Sequence, residues 1–163
     1  MSGRSFRLRN HSFRESFSAA WQGLGYALRR GKNIRFHFLA AYSVFFLALW
    51  SGFSPTEMVL VVAVSALVAA AELLNTAVEV LVDLASPSYS DLAKRAKDIA
   101  AGAVLVTVFG SLLSAFFLFY PHWREVLPGL ALHLPTWEGF FVAVGFLALL
   151  SLWLFWPGEA EGT

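Results

Sequence analysis

Four long apolar stretches, residues 36–53, 58–84, 99–120 and 139–156, constrain this chain more than any other feature. A bilayer core demands about 20 apolar residues of helix, and each stretch meets or nearly meets that length. The first is short, and tilt or local thinning absorbs the mismatch. Pro55, Pro87, Pro121, Pro128, Pro135 and Pro157 all fall between or beyond the stretches, where helix breakers belong. Trp50, Tyr120, Trp123, Trp137 and Trp156 cluster at their ends, as an interfacial aromatic belt requires. With 58% of residues hydrophobic and 14% charged, little polar sequence remains for a separate soluble domain. The expected class is an all-α integral membrane protein. Cysteine is absent, which excludes disulfides, thiolate metal sites and a cysteine nucleophile. No secretory signal peptide is expected, because the first apolar run starts late and lacks a small-residue cleavage site.

Ahead of the first stretch, Phe13, Phe17, Ala20, Trp21, Leu24 and Leu28 recur at helical spacing, with Arg14, Glu15, Gln22, Arg29 and Arg30 between them. The pattern predicts an amphipathic helix that lies in the membrane interface or packs on its own bundle. Eight of the twelve Lys and Arg precede residue 36: Arg4, Arg7, Arg9, Arg14, Arg29, Arg30, Lys32 and Arg35. The loop after the first stretch has no Lys or Arg, the next has Lys94, Arg95 and Lys97, and the third has only Arg124. Four spans would therefore run in, out, in, out, with both ends on the cytoplasmic side of a bacterial inner or plasma membrane. Beside a span, such basic residues suit anionic membrane lipids, and no nucleic-acid partner is expected.

Inside the second stretch lies a stripe of polar residues: Glu72, Asn75, Glu79 and Asp83. At about 100° per residue they fall within an arc of roughly 80°, while Leu73, Leu74, Val78, Val80 and Leu81 cover the rest of the helix. Ionisable groups at membrane depth are costly unless paired, hydrated or bound to a cation. Structural pairing, transport or a proton relay, and catalysis all remain open for them. The stripe ends at the cytoplasmic boundary, within reach of a soluble substrate. Residues 85–95 form a short polar loop, where Ser90 or Asp91 caps the next helix. A hairpin there sets Lys94, Arg95, Lys97 and Asp98 beside Glu79 and Asp83. Carboxylates facing cations suit a magnesium-complexed polyphosphate. Glu72, deeper and drier, is placed to act as general base on an alcohol delivered from the lipid. His11, His122 and His133 show no metal-ligand spacing, and phosphate-binding glycine loops are absent.

The run from Glu72 to Asp83 fits the pattern E-x-[LIV]-N-[ST]-[SA]-[IV]-E-x-x-[VI]-D, and resembles the prokaryotic diacylglycerol kinase family of small membrane enzymes. Ser86-Pro87-Ser88-Tyr89, Leu92-Ala93-Lys94-Arg95-Ala96-Lys97-Asp98 and Ala100-Ala101-Gly102-Ala103-Val104-Leu105 look most like its Gram-positive branch, which phosphorylates undecaprenol. Phe17-x-x-Ala20-x-x-Gly23-Leu24 and Asn33-x-Arg35-x-His37-Phe38-Leu39 fit the same branch. The resemblance covers roughly residues 13–120. It implies an ATP- and Mg²⁺-dependent lipid kinase with a surface helix and three transmembrane helices, working as a homotrimer. Together with the apolar stretches, it gives an expected division into 1–35 as the basic segment with the surface helix, 36–120 as the kinase core, and 121–163 as an extension whose own apolar stretch predicts a fourth transmembrane helix. By match to the motif, Glu72 is the general base, Asn75 positions the reacting groups and Glu79 holds the metal. Asp83, Arg95, Lys97 and Asp98 belong to the nucleotide and phosphate site, with Tyr89 and His37 as further candidates.

Three departures stand out. The family carries a second metal-binding glutamate two residues ahead of the Asn33 position, and Gly31 stands there, followed by Lys32. A folded-back surface helix would bring in Glu15 as a substitute. Ser90 replaces a common loop histidine, and the stretch 139–156 has no counterpart in a three-span family. The acceptor implied is undecaprenol, with diacylglycerol as the alternative. A lipid-binding or assembly protein with weakened catalysis is the alternative of another class.

Overall fold

A computed structural model describes residues 12–86, 88 and 90–155. Arg4, Arg7, Arg9, His11, Pro87, Tyr89, Trp156 and Pro157 lie outside the described residues. Among the described residues there are six α-helices and no strand. Helix α1 (Phe13–Arg30) opens with a capping box, in which the Ser12 hydroxyl accepts from the Glu15 backbone at 3.3 Å and Glu15 Oε2 accepts from the Ser12 backbone at 3.1 Å. Extended backbone at Gly31 separates it from α2 (Lys32–Trp50). Gly52, at φ 77°, makes the left-handed turn that glycine alone adopts without strain, and leads into α3 (Pro55–Ala85). Ser54 and Glu57 form a second capping box there, with Pro55 at the first helical position. The Ser90 hydroxyl accepts from the Ala93 backbone at 3.4 Å and caps α4 (Asp91–Phe119), as one of the two expected candidates.

Helices α2 and α3, and the run from Asp91 to His133, are long and apolar enough to cross a membrane. The chain is a multi-helix membrane protein. At about 1.5 Å per residue the 31 residues of α3 span about 46 Å, well beyond the hydrocarbon core. The helices run past the apolar stretches chiefly at the basic end, because capped polar turns continue the backbone hydrogen bonding outside the lipid. Antiparallel α3 and α4 share the most extensive interface, with α2 packed on α3. Ala48, Phe53 and Val61 form a small core at the end of the bundle away from Asp83, with Val44, Met58, Leu118 and Phe119 against it. Large side chains such as Leu67, Phe109 and Phe117 stay exposed, as a lipid-facing surface demands. On α1 the apolar residues Phe13, Phe17 and Trp21 are left uncovered by the bundle, which agrees with a helix in the interface.

The segment after α4 is more structured than expected. A 3₁₀ turn (Tyr120–His122) leads into α5 (Trp123–His133), with Pro128 inside the helix. Pro128 and Arg124, whose carbonyl the ring deprives of a donor, are both exposed, so that carbonyl is free to be solvated. His122 Nε2 stands 3.0 Å from Glu57 Oε1 and its ring packs 4.4 Å from Phe53. The His133 ring stacks on Trp50 at 5.6 Å, and Gly129 lies against the Trp50 carbonyl where no Cβ would fit. The two histidines thus pin α5 to the α2–α3 corner.

Helix α6 (Trp137–Phe155) follows and runs antiparallel along α2. Trp137 faces Trp50, Tyr42 donates to the Val142 carbonyl at 3.1 Å, and Leu149 reaches the level of Phe38 and Arg35. These contacts run from Trp50 back to Arg35, so α6 lies along most of α2. A Cβ at Gly145 would strike the Tyr42 hydroxyl. Gly145→Ala is therefore expected to lower the thermal unfolding midpoint in detergent, at a cost of about 1–3 kcal/mol for overpacking. Adding Tyr42→Phe, which removes the struck oxygen, should recover part of that loss in a double-mutant cycle.

Candidate active site

No proline or glycine interrupts α3 from Thr56 to Ala85, so the polar stripe stays on one line along it. Glu72 is only 4% exposed, Asn75 8% and Thr76 7%, whereas Glu79 is half-buried and Asp83 exposed. Thr76 returns its hydroxyl proton to the Glu72 carbonyl at 3.0 Å and so satisfies itself within the helix. The Asn75 amide nitrogen donates to Glu79 Oε1 at 3.1 Å, while Asn75 Oδ1 is buried with no hydrogen-bond partner. About 16 Å along the helix from Glu72, Asp83 is clasped by two cations. Arg30 Nη2 donates to Asp83 Oδ2 at 3.1 Å, and Lys97 Nζ donates to Asp83 Oδ1.

An open groove of about 670 Å³ runs between α2, α3 and α4. Lys32, Asn33, His37, Glu72 and Asn75 supply its polar wall, and Val104 and Leu105 lie on the apolar side. Asn33 and His37, four residues apart on one face of α2, line the groove beside Glu72. The groove therefore offers an apolar path to a buried carboxylate, with a charged corner further along the same helix.

The structure brings together Glu72, Asn75, Glu79, Asp83, Lys97 and His37. It does not bring Arg95 to the stripe: two residues from Lys97, it lies about 200° round α4 and is exposed. Asp98 is also exposed, about 100° from Lys97. Tyr89 lies outside the described residues. Glu15 is engaged in its capping box at the opposite end of α1 from Arg30, so it does not replace the acid missing at Gly31. Two contributors were not singled out as site residues. The i, i+4 spacing of Asn33 and His37 carries a signal for Asn33, but nothing local distinguishes Arg30 from the other interfacial arginines.

Among the described residues no group of three or more acids and histidines forms a metal cluster. The donor set present is one carboxylate, Glu79, beside the orphaned amide oxygen of Asn75. Both are hard oxygen donors, and Mg²⁺ accepts one or two carboxylates when phosphate oxygens and water complete its shell. The residues fit a nucleotide-borne Mg²⁺ and not an all-protein cage.

The family model for prokaryotic diacylglycerol kinase matches residues 18–119. The chain belongs to that family. A protein named diacylglycerol kinase from Synechocystis sp. is 38% identical over 107 residues, covering 65% of this chain and 61% of its own length. An undecaprenol kinase from Bacillus subtilis is 34% identical over 121 residues, or 74% of this chain and 98% of the relative. The diacylglycerol kinase of Escherichia coli K12 is 29% identical over 103 residues, or 63% and 84%. These names are those of lipid kinases, phosphotransferases with an alcohol acceptor. No solved structure matches the chain. The matched span ends with α4, so α5 and α6 lie beyond the part shared with the family model.

Asn75 carries a buried, unsatisfied acceptor, which lowers stability. Asn75→Leu, which keeps the branched shape without the polar atoms and has the open groove to take its extra bulk, is expected to raise the thermal midpoint in detergent while reducing phosphoryl transfer at least tenfold, in the manner of a site residue retained at the expense of stability.

Proposed function

We propose that this chain is an ATP-dependent kinase of a membrane lipid alcohol, with undecaprenol as the acceptor. One observation carries the reading: a buried carboxylate, Glu72, faces an apolar groove and shares one helix face with the cation-flanked Asp83. In this reading the alcohol enters along the groove, and its hydroxyl meets Glu72 while the tail stays in lipid. Glu72 takes the hydroxyl proton as the oxygen attacks the γ-phosphorus. The new O–P bond forms as the bond to the β-phosphate oxygen breaks, and ADP leaves. His37 and Asn33 hold the Glu72 carboxyl, and Asn75 orients Glu79. Bound Mg²⁺ supplies charge neutralisation on the polyphosphate, with Glu79 as its protein ligand. Lys97 and Asp83 line the phosphate side, with Asp98 assigned to the nucleotide and Tyr89 kept as a further candidate, whereas Arg95 points away from the stripe and takes no part.

The basic residues favour a cytoplasmic site, in a bacterial inner or plasma membrane, where ATP is present. Family membership supports a homotrimer. The division into a basic segment 1–35, a kinase core 36–120 and an extension 121–163 belongs to the same reading, with α6 as a fourth span beside α2. Undecaprenol is supported by the Bacillus subtilis relative, nearly all of which is matched. The Synechocystis relative supports diacylglycerol as the second reading. Purified protein given both alcohols with labelled ATP is expected to phosphorylate undecaprenol faster, and a preference for diacylglycerol would reverse the assignment.

Glu72→Gln should lower transfer by roughly 10²–10⁴-fold with the helical spectrum intact, and retained activity would remove Glu72 as the base. At Gly31 the backbone is ordinary (φ −96°), and an added Cβ would meet Ala27 O and Ile34 Cγ2 at 3.3 Å, a tight but adjustable fit. Gly31→Glu is therefore expected to fold and to lower the Mg²⁺ concentration for half-maximal activity. An unchanged Mg²⁺ titration would show that the missing carboxylate is irrelevant here.

A further inference from the structure

Arg30, the last residue of α1, has a partner on each side of its fork. Its Nη1 donates to the Tyr26 hydroxyl at 3.2 Å and its Nη2 to Asp83 Oδ2 at 3.1 Å. Asp83 does not depend on it, because Lys97 holds the other carboxylate oxygen. Arg30 also lies within electrostatic reach of Glu79. Its side chain is 39% exposed, so the guanidinium is accessible from the aqueous side.

Charge bookkeeping gives this placement a purpose. Glu79 and Asp83 are balanced by Arg30 and Lys97. An incoming nucleoside triphosphate with a single divalent cation still carries net negative charge. Among the described residues no cluster of acids and histidines is available to hold further metal ions. Protein cations can supply the remaining neutralisation: Lys32 lines the groove beside Glu72 and Asn75, and the planar guanidinium of Arg30 matches phosphate oxygens in bidentate fashion. Tyr26, one helical turn earlier on α1, keeps the fork aimed at the stripe.

We infer that Arg30 is a polyphosphate-binding residue, its guanidinium passing from Asp83 to the phosphate oxygens when nucleotide binds while Lys97 keeps Asp83 paired. The inference rests on the kinase reading for its substrate and names one cation that serves it.

Steady-state kinetics and calorimetry on the full chain test it. Arg30→Ala is expected to raise the KM for MgATP about tenfold, with the KM for lipid and the unfolding midpoint unchanged. Arg30→Lys should recover part of the loss, as a point charge without the fork. In calorimetry, Arg30→Ala should weaken a non-hydrolysable MgATP analogue about tenfold and leave AMP unaffected. An unchanged KM for MgATP, or a loss shared equally by kcat, lipid KM and unfolding midpoint and reproduced by Asp83→Asn, would make Arg30 a strut only and overturn the inference. The two readings fail separately. No transfer by the unmodified chain to any lipid alcohol sinks the kinase, whereas equal binding of the analogue by the unmodified chain and Arg30→Ala sinks the role of Arg30.

Discussion

A helix that must face lipid cannot leave a carboxylate, an amide and a hydroxyl uncovered at the depth of Glu72, Asn75 and Thr76. Covering them is the constraint on which the rest of the bundle depends. Thr76 is satisfied by its own helix, but Glu72 and Asn75 need neighbours. The start of α2, through Asn33 and His37, and the face of α4 around Val104 provide them. The same cover leaves an open groove, so shielding the acid from lipid also creates the passage to it.

Where α3 leaves the hydrocarbon region, the chemistry changes from burial to charge. Asp83 joins three helices, since Arg30 ends α1 and Lys97 belongs to the first turns of α4. Pairs this exposed add little to stability, because water screens them and ordering long side chains costs entropy. Their value lies in arranging cations around a carboxylate at the mouth of the groove. Gly31, immediately after Arg30, breaks the backbone from α1 to α2 and sets the angle at which Arg30 arrives.

The segment beyond residue 119 is built on different physics. Helix α5 is held at the far end of the bundle by two histidines, one against Glu57 and Phe53 and one stacked on Trp50. Helix α6 then lies along α2, on a different side of it from the groove. Gly145 admits the Tyr42 ring, and the Tyr42 hydroxyl reaches a backbone carbonyl across the interface. None of these contacts touches the acid stripe, so the extension braces α2 without entering the site.

Much of this was legible beforehand. The four apolar stretches, the capping serines and the helical phase of Glu72, Asn75, Glu79 and Asp83 follow from composition, local hydrogen bonding and the helical period, which act within one segment. Helix α5 carries no local signal that separates it from a loop, because its apolar run is short and includes Pro128. In the sequence Arg30 is one interfacial cation among several and Arg95 a neighbour of Lys97, because charge type says nothing about which side of a helix meets which partner. The sequence by itself determined a membrane-spanning helical chain with a polar line on its second apolar stretch, since both depend on spacing along one helix. Only the tertiary structure decided that Asn33 and His37 line one groove with Glu72, that Asp83 takes Arg30 and Lys97 and not Arg95, and that α6 lies along α2. Those outcomes depend on how separate helices rotate and pack against one another, which no spacing within a single helix encodes.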